Sequence, residues 1–283
     1  KSIFRNYDLS INLTSSDRSI LYALLASSFS ISAVEKEYRK SWWKILLLSN
    51  SYYFDNNVNI LINNLKPLNT LNIDHQRELN SIQVSTNILN SIKNVLRKKN
   101  ISDFIIFHPS AQYEYKIYPK KLRNELLTFL DNLGMPVIVT GSSNKIDLAI
   151  KNTLPNLNNI IDLIGETSIE EYFALSELSR AYVGMDTLNM HIAASQNKPI
   201  FAIFGPTNKK MWSPWSNKIR RSSLKDMPIE KYGDITIFQA AMECVACGNA
   251  GCSGNGKFSE CLNKISPKII FDSIEDWFEA SKI

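Results

Sequence analysis

Tyr182-Val-Gly-Met-Asp-Thr-Leu-Asn-Met-His191-Ile-Ala-Ala, followed by Lys198-Pro-Ile-Phe-Ala-Ile-Phe-Gly-Pro-Thr207, reads as strand, polar turn, short helix and a second buried strand. This order sets Asp186, Thr187 and His191 at the carboxyl end of a strand, where a helix begins. In open α/β sheets that edge is where ligands bind. Unpaired N–H groups at a helix start suit an anion, a diphosphate above all. The same residues also fit an ordinary strand–helix connection capped by Asp or Thr.

Working outward, Phe104-Ile-Ile-Phe-His-Pro-Ser-Ala111 is a second buried strand running into a polar turn, and Lys116-Ile-Tyr-Pro119 leads into a helix over Lys120–Leu133. Between these two anchors the pattern alternates cleanly. Strands are expected at 104–107, 136–140, 159–163, 181–185 and 199–204, and helices at 119–133, 144–151, 168–178 and 188–196. Gly134-Met-Pro136 stops one helix and starts the next strand. Ser168-Ile-Glu-Glu171 fits a capping box. Such alternation predicts a parallel sheet covered by helices on both faces.

The first hundred residues are less regular. A strand over Tyr7–Leu13, a helix from Ser16 to Ser27 and a strand over Phe29–Val34 are expected, then helices over Lys40–Leu48, Val58–Leu65 and Thr86–Leu96. The Asn-rich stretches Asp55-Asn-Asn57 and Asn63-Asn64 read as turns or helix ends, and Arg97–Ser102 as a hinge closing the first domain. A last helix, Pro267–Ala280, opens on Ser266-Pro267, a cap and first-turn pair.

With 283 residues and 44% hydrophobic side chains, the chain can fill two ordinary cores. No apolar run reaches the ~18 residues of a membrane span, and no signal peptide is recognisable. A net charge of +5, scattered over Lys-rich helices, favours anionic ligands or an anionic membrane face without the concentrated patch of a nucleic-acid binder. Arg97-Lys-Lys-Asn100 and Lys209-Lys210 read as solvated surface.

Several segments, taken together, resemble the lipopolysaccharide heptosyltransferases of glycosyltransferase family 9. They are His108-Pro-Ser-Ala111 with Lys116 before a Pro-started helix, Thr140-Gly-Ser-Ser143, Gly165-Glu-Thr-Ser168, Val183-Gly-Met-Asp-Thr187 with His191, and Phe204-Gly-Pro-Thr207 with Trp212-Ser-Pro-Trp215. Tyr7-Asp-Leu-Ser-Ile-Asn-Leu-Thr14 is similar to a strand late in the family's first domain, in the branch that adds a side heptose to the inner core, heptosyltransferase III. The resemblance covers nearly the whole chain. It implies a GT-B-like pair of Rossmann-type α/β domains with parallel sheets, the first incomplete: residues 1–100 as the rest of an acceptor-side domain and 101–265 as the nucleotide-sugar domain. A small Cys-rich finger at 244–261 would precede the tail helix 266–283, which would pack back toward the first domain. The chain opens at Lys1 without Met, and the resemblance places an opening βαβ portion before it, with a Gly-Asp loop that carries the catalytic base. Asp74 and His75, an adjacent titratable pair, read instead as exposed linker.

The resemblance further implies transfer of heptose from ADP-heptose to the lipopolysaccharide inner core by single displacement with inversion, at the cytoplasmic membrane face and without a catalytic metal. A non-catalytic nucleotide-sugar-binding paralogue and an autotransporter (protein) heptosyltransferase are the alternatives. Nucleic-acid partners are not expected. A leaving diphosphate gathers charge, so donors aimed at it favour the transition state. The candidate catalytic residues are Lys116 and Asp186. Lys116 is the obvious cation, with surface as its bland reading. Asp186 is expected to contact the sugar or shape its turn. Ser110, Thr140, Gly141, Thr167, Thr187, Leu188, Asn189, Met190 and His191 complete the expected donor site, with Met185 or Ile164 against the base. His191 also reads as a core histidine bonded to a carbonyl. The family usually has a small residue after the Asp-Thr pair, where this chain has Leu188-Asn189-Met190. Trp212-Ser-Pro-Trp215 reads as a packing corner rather than a sugar platform.

Cys244, Cys247, Cys252 and Cys261 are the chain's four cysteines, spaced C-x2-C-x4-C-x8-C with four interspersed glycines. Four thiolates close a tetrahedral shell around structural zinc or iron; two disulfides or free thiols are the other readings. Family members often carry such a cluster, and related autotransporter heptosyltransferases hold iron with one.

Overall fold

The computed structural model describes residues 3–74, 79–254 and 256–282. The chain forms two compact units, one spanning 1–78 and the other 79–283. His75 of the Asp74–His75 pair lies outside the described residues.

In the first unit the elements are β1 (Tyr7–Asn12), α1 (Asp17–Ala26), β2 (Ser27–Val34), α2 (Tyr38–Leu47), β3 (Asn50–Tyr53) and α3 (Ile60–Thr70). The three strands form a parallel sheet in the order β1-β2-β3. α1 starts where expected, with the Ser16 side chain accepting from the Ser19 N–H. β3 had no signal, because Asn50-Ser-Tyr-Tyr53 carries no aliphatic run. Asn63-Asn64 does not end a helix but lies inside α3. Buried Asn63 donates to the carbonyls of Asp55 and Val58 and accepts from the Asp55 N–H, so the polar residue organises the turn before its own helix.

The second unit runs α4 (Thr86–Lys98), β4 (Ile105–His108), α5 (Lys120–Asp131), β5 (Val137–Val139), α6 (Lys145–Lys151), β6 (Ile160–Asp162), α7 (Ile169–Leu178), β7 (Tyr182–Met185), α8 (Leu188–Ser195), β8 (Ile200–Phe204), α9 (Lys209–Trp212), β9 (Ile229–Tyr232), β10 (Ile235–Gln239), α10 (Glu260–Asn263) and α11 (Pro267–Ala280). Its sheet has the order β6-β5-β4-β7-β8-β10-β9, parallel except for β9 against β10. The expected alternation is present, and β9 and β10 extend it. Glu230 and Lys231 interrupt the apolar pattern of β9 and hid it.

Period-two alternation sorts the strands onto two cores. Ile105 and Phe107 pack with Leu126 and Leu130 of α5 and Ile270 and Ile274 of α11. Phe104 and Ile106 pack with Ile92 and Leu96 of α4 and Leu175 of α7. Both faces are covered, which explains the unbroken apolar runs. It also corrects the expected boundary near residue 100, because α4 packs on α7 and belongs to the second unit. The tail helix is likewise part of this unit, with Phe271 against Phe129 and Trp277 against Phe201.

Candidate donor site at the strand-order reversal

The chain enters the second sheet at β4, builds outward to β5 and β6, then returns to β4's other side with β7 and β8. The order therefore reverses between β4 and β7, and the crevice outside the carboxyl ends of such neighbours is where doubly wound sheets bind ligands. The two strands run close there: a Cβ on Gly184 would collide with the His108 carbonyl oxygen, so this position requires glycine.

Lys116, from the loop after β4, meets Asp186, from the loop after β7, with Nζ 2.8 Å from Oδ2. The pair thus bridges the reversal. Asp186 is buried, and the Lys116 side chain keeps 22% of its exposure. Among the described residues Asp186 is the one polar partner of the ammonium, which has three protons to give. His191, one helical turn into α8, is half-buried beside this pair. Burial lowers its pKa, helped by the Lys116 charge and opposed by Asp186.

A cavity of about 640 Å³ opens over this edge. Of the expected donor residues, Ser110, Lys116, Gly141, Thr167, Asp186, Thr187, Leu188, Asn189 and His191 line it. Thr140 and Met190 do not line it and are fully buried behind it, as are Met185 and Ile164, which belong to the core rather than to a base-contacting wall. Thr187 caps α8 with extended backbone, and its buried hydroxyl finds no partner at hydrogen-bonding geometry among the described residues.

Other wall residues had gone unrecognised. Asp147 on α6 accepts from the Ser110 hydroxyl and from the Ser142 N–H, so Ser110, expected to face a phosphate, is committed to a carboxylate. The available signal was Asn144, which caps α6 by accepting from the Asp147 N–H and so fixes where that acid sits. His108 Nδ1 lies 3.0 Å from the Thr140 hydroxyl and 3.2 Å from the Asn189 amide nitrogen. An amide N–H donates to Nδ1 only if the ring proton is on Nε2, which assigns the tautomer. Burial pushes the His108 pKa down to about 4, against the pull of Asp147, so the ring is neutral at pH 7. Asn189 thus spends its side chain on holding His108.

The tryptophan corner divides. Trp215 is buried as expected, but Trp212 is 38% exposed and forms part of the cavity wall, with Tyr113. The Tyr113 ring is stacked on Tyr115 at 5.5 Å. Lys209, read as solvated, is instead buried and donates to the Met227 carbonyl at 2.6 Å, with burial lowering its pKa.

Cys244, Cys247 and Cys252 lie in a segment of turns and Cys261 on α10; no disulfide joins them, Cys244 and Cys247 are exposed, and Cys261 is buried. Burial, with the charges of Cys252, Cys247 and Cys244, pushes the Cys261 thiol up to about 11. Among the described residues no three of them are gathered as metal ligands.

A doubly wound sheet with an ion pair across its reversal and a roomy cavity above it makes the unit a doubly wound α/β domain with a ligand-sized crevice at the point where strand order reverses. The pattern of glycosyltransferase family 9 (heptosyltransferase) matches residues 1–237, and the chain belongs to that family. Lipopolysaccharide heptosyltransferase 3 of Escherichia coli is 24% identical over 223 residues, which are 75% of this chain and 64% of that protein. The chain thus spans somewhat under two thirds of that relative's length. ADP-heptose lipopolysaccharide heptosyltransferase II of E. coli superposes with a TM-score of 0.68 at 18% identity, covering 98% of this chain and 78% of that one. E. coli heptosyltransferase WaaC with ADP gives 0.64 at 15% identity, over 96% and 72%. These likenesses establish a GT-B-like fold. The cysteines lie beyond the matched residues.

Proposed function

We propose that the protein transfers a heptose from ADP-heptose to the lipopolysaccharide inner core, and that its second unit holds the donor. The observation that carries this reading is the Lys116–Asp186 pair at the strand-order reversal, inside a cavity of nucleotide-sugar size. The names of the relatives support the sugar and acceptor, and the neighbour solved with ADP supports the nucleotide.

Sheet order suggests how the donor lies. Gly141 and Thr167 follow β5 and β6, Lys116 and Asp186 follow β4 and β7, and Trp212 follows β8. Base, diphosphate and sugar would occupy these positions in turn. The acceptor hydroxyl attacks the anomeric carbon opposite the phosphate, the carbon–oxygen bond to the diphosphate breaks, and its electron pair leaves on ADP. Lys116 and the first N–H groups of α8 would meet that growing charge. Asp186 keeps the ammonium in place and faces the sugar. Neither cavity carboxylate is assigned as the base that takes the acceptor proton, because Asp186 is tied to Lys116 and Asp147 to Ser110 and Ser142.

Among the described residues no helix is long and apolar enough to cross a membrane. The proposed setting is the cytoplasm, in peripheral contact with the membrane that carries the acceptor. The spacing C-x2-C-x4-C-x8-C is the ground for proposing a structural zinc or iron on Cys244, Cys247, Cys252 and Cys261, which lie far in sequence from the donor loops. Cys247→Ser should then lower bound metal and melting temperature together; wild-type protein carrying no metal in elemental analysis would end that part of the proposal.

Calorimetric titration with ADP, ADP-heptose and UDP-sugars tests the main reading. Tight binding that prefers ADP is expected. Equal or absent binding of all three would overturn the donor assignment.

A further inference from the structure

Helix α2 is amphipathic in the wrong direction for a helix of a buried core. Its inward residues are Ser41 and Lys44, both buried, while Tyr38, Trp42, Ile45 and Leu46 are exposed at 73%, 51%, 38% and 75%. Their i, i+4, i+7, i+8 spacing makes one stripe along the helix. Leu47 adds a fifth exposed apolar side chain. Single exposed apolar residues need no explanation, but a contiguous stripe of this size marks an interaction surface.

The inward face explains how the helix tolerates this. The Lys44 ammonium is held by the Ser15 carbonyl at 2.7 Å, by Glu35 at 2.8 Å and by Asp17 at 2.7 Å. Trp43 and Leu48 pack with Ile20 and Val34. Polar contacts and a short apolar seam therefore dock α2 on the sheet, leaving its aromatic face free.

The flanking charge selects the occupant. Lys36, Arg39 and Lys40 are exposed at the head of the helix; of the acids there, Glu37 is paired with Lys40 at 2.6 Å and Glu35 with the buried Lys44 at 2.8 Å, which leaves Lys36 and Arg39 as the outward cations. A stripe of Tyr, Trp, Ile and Leu bordered by cations has the composition of a helix lying in the interface of an anionic bilayer, where aromatic rings sit at headgroup level and lysines and arginines meet the phosphates. A protein partner buried against this face would need acidic groups around an apolar core, whereas an anionic bilayer offers both at once. We infer that the outer face of α2 docks the protein onto an anionic membrane surface. The inference rests on the proposed function in one respect, that an acceptor carried by a membrane gives such docking its use; its geometry stands on α2 alone.

The test is cosedimentation of the full chain with vesicles of phosphatidylglycerol and phosphatidylethanolamine, and with phosphatidylcholine alone. Binding to the anionic vesicles, weakened by salt and at least tenfold poorer on phosphatidylcholine, is expected. Trp42→Ser with Leu46→Ser, both exposed and therefore tolerated by the fold, should lower binding at least tenfold with an unchanged circular dichroism spectrum. Arg39→Glu should lower it severalfold. ADP titration of the same variants should match the unaltered chain, which separates failure of docking from failure of the donor reading. Absence of vesicle binding would overturn the inference. So would equal binding to both lipids, or a concentration-dependent dimer in ultracentrifugation that the double variant abolishes.

Discussion

Each unit places a lysine against an aspartate near the carboxyl ends of parallel strands, and the two lysines are used differently. Lys44, from α2 of the first unit, gives its protons to Ser15, Glu35 and Asp17 and is shut away from water. Burial works to lower its pKa, and hydrogen bonds to Asp17 and Glu35 more than offset this, leaving it raised. Lys116, in the second unit, has a single carboxylate partner and looks into a cavity. A cation whose donors are all taken is a fastener, and one with donors to spare beside a void is prepared for an incoming anion. Position in the sheet accounts for the difference. Lys116 and Asp186 flank the point where strand order reverses, where no crossover helix fills the crevice. Lys44 sits on a crossover helix itself.

Replacing Lys44 by Met should therefore cost the most stability, about 3 kcal/mol in urea unfolding, the low end for breaking a buried pair because Asp17 can return to water. ADP affinity should not change. A loss of ADP binding without loss of stability would erase the distinction between the two lysines.

The cavity side carries its own stability signature. Folded His108 titrates near 4 and the unfolded residue near 6.5, so between these values the unfolded chain binds the proton and the folded chain does not. Stability is fully present above pH 6.5 and is lost as pH falls toward 4. The loss is about 3 kcal/mol at most, and the lowered pKa of His191 acts in the same direction. Unfolding at pH 7 and pH 5 should show the slope, and His108→Asn should flatten it. An unchanged slope would mean that the ring is hydrated.

How far the sequence disclosed these features depended on their range. The βα alternation of the second unit and the capping box Ser168–Glu171, with both hydrogen bonds formed, follow from local pattern, and the structure agrees; Lys116 and Asp186, singled out by family motif, line one cavity. What escaped depends on contacts distant in sequence. Ser110 is 37 residues from the Asp147 that accepts its hydrogen bond, and Asn189 is 81 residues from His108. Lys209 and Lys210 are alike in sequence, and only packing decides that the first is buried. The reversed face of α2 was hidden for the same reason, since its apolar spacing shows a stripe but not which way the stripe points.

Lys116→Ala sharpens the contrast at the level of binding. A charge-assisted hydrogen bond contributes about 1.5–3 kcal/mol, so ADP affinity should fall on the order of 10- to 100-fold. The single change also leaves Asp186 buried beside no cation. Pairing it with Asp186→Asn should bring stability close to that of the unaltered chain while affinity stays low. A double variant with normal affinity would remove Lys116 from the donor site.

Asp186→Asn alone has the smallest expected effect and the most telling sign. In the free protein the carboxylate holds the ammonium, and a diphosphate entering the crevice must share Lys116 with it while facing its negative charge. Asparagine can still accept a hydrogen bond from Lys116, but it gives up the repulsion and weakens the competition. ADP should bind about fivefold more tightly, roughly 1 kcal/mol, the scale of one charge contact in a partly hydrated site. Transfer of the sugar should slow, because the ammonium is then no longer fixed where the leaving charge develops. Tighter ADP with slower turnover is an outcome that a purely structural ion pair does not give, since breaking such a pair would weaken both. Weaker ADP binding in this variant would show that Asp186 orders the site for the nucleotide, and that Lys116, like Lys44, acts first as a fastener.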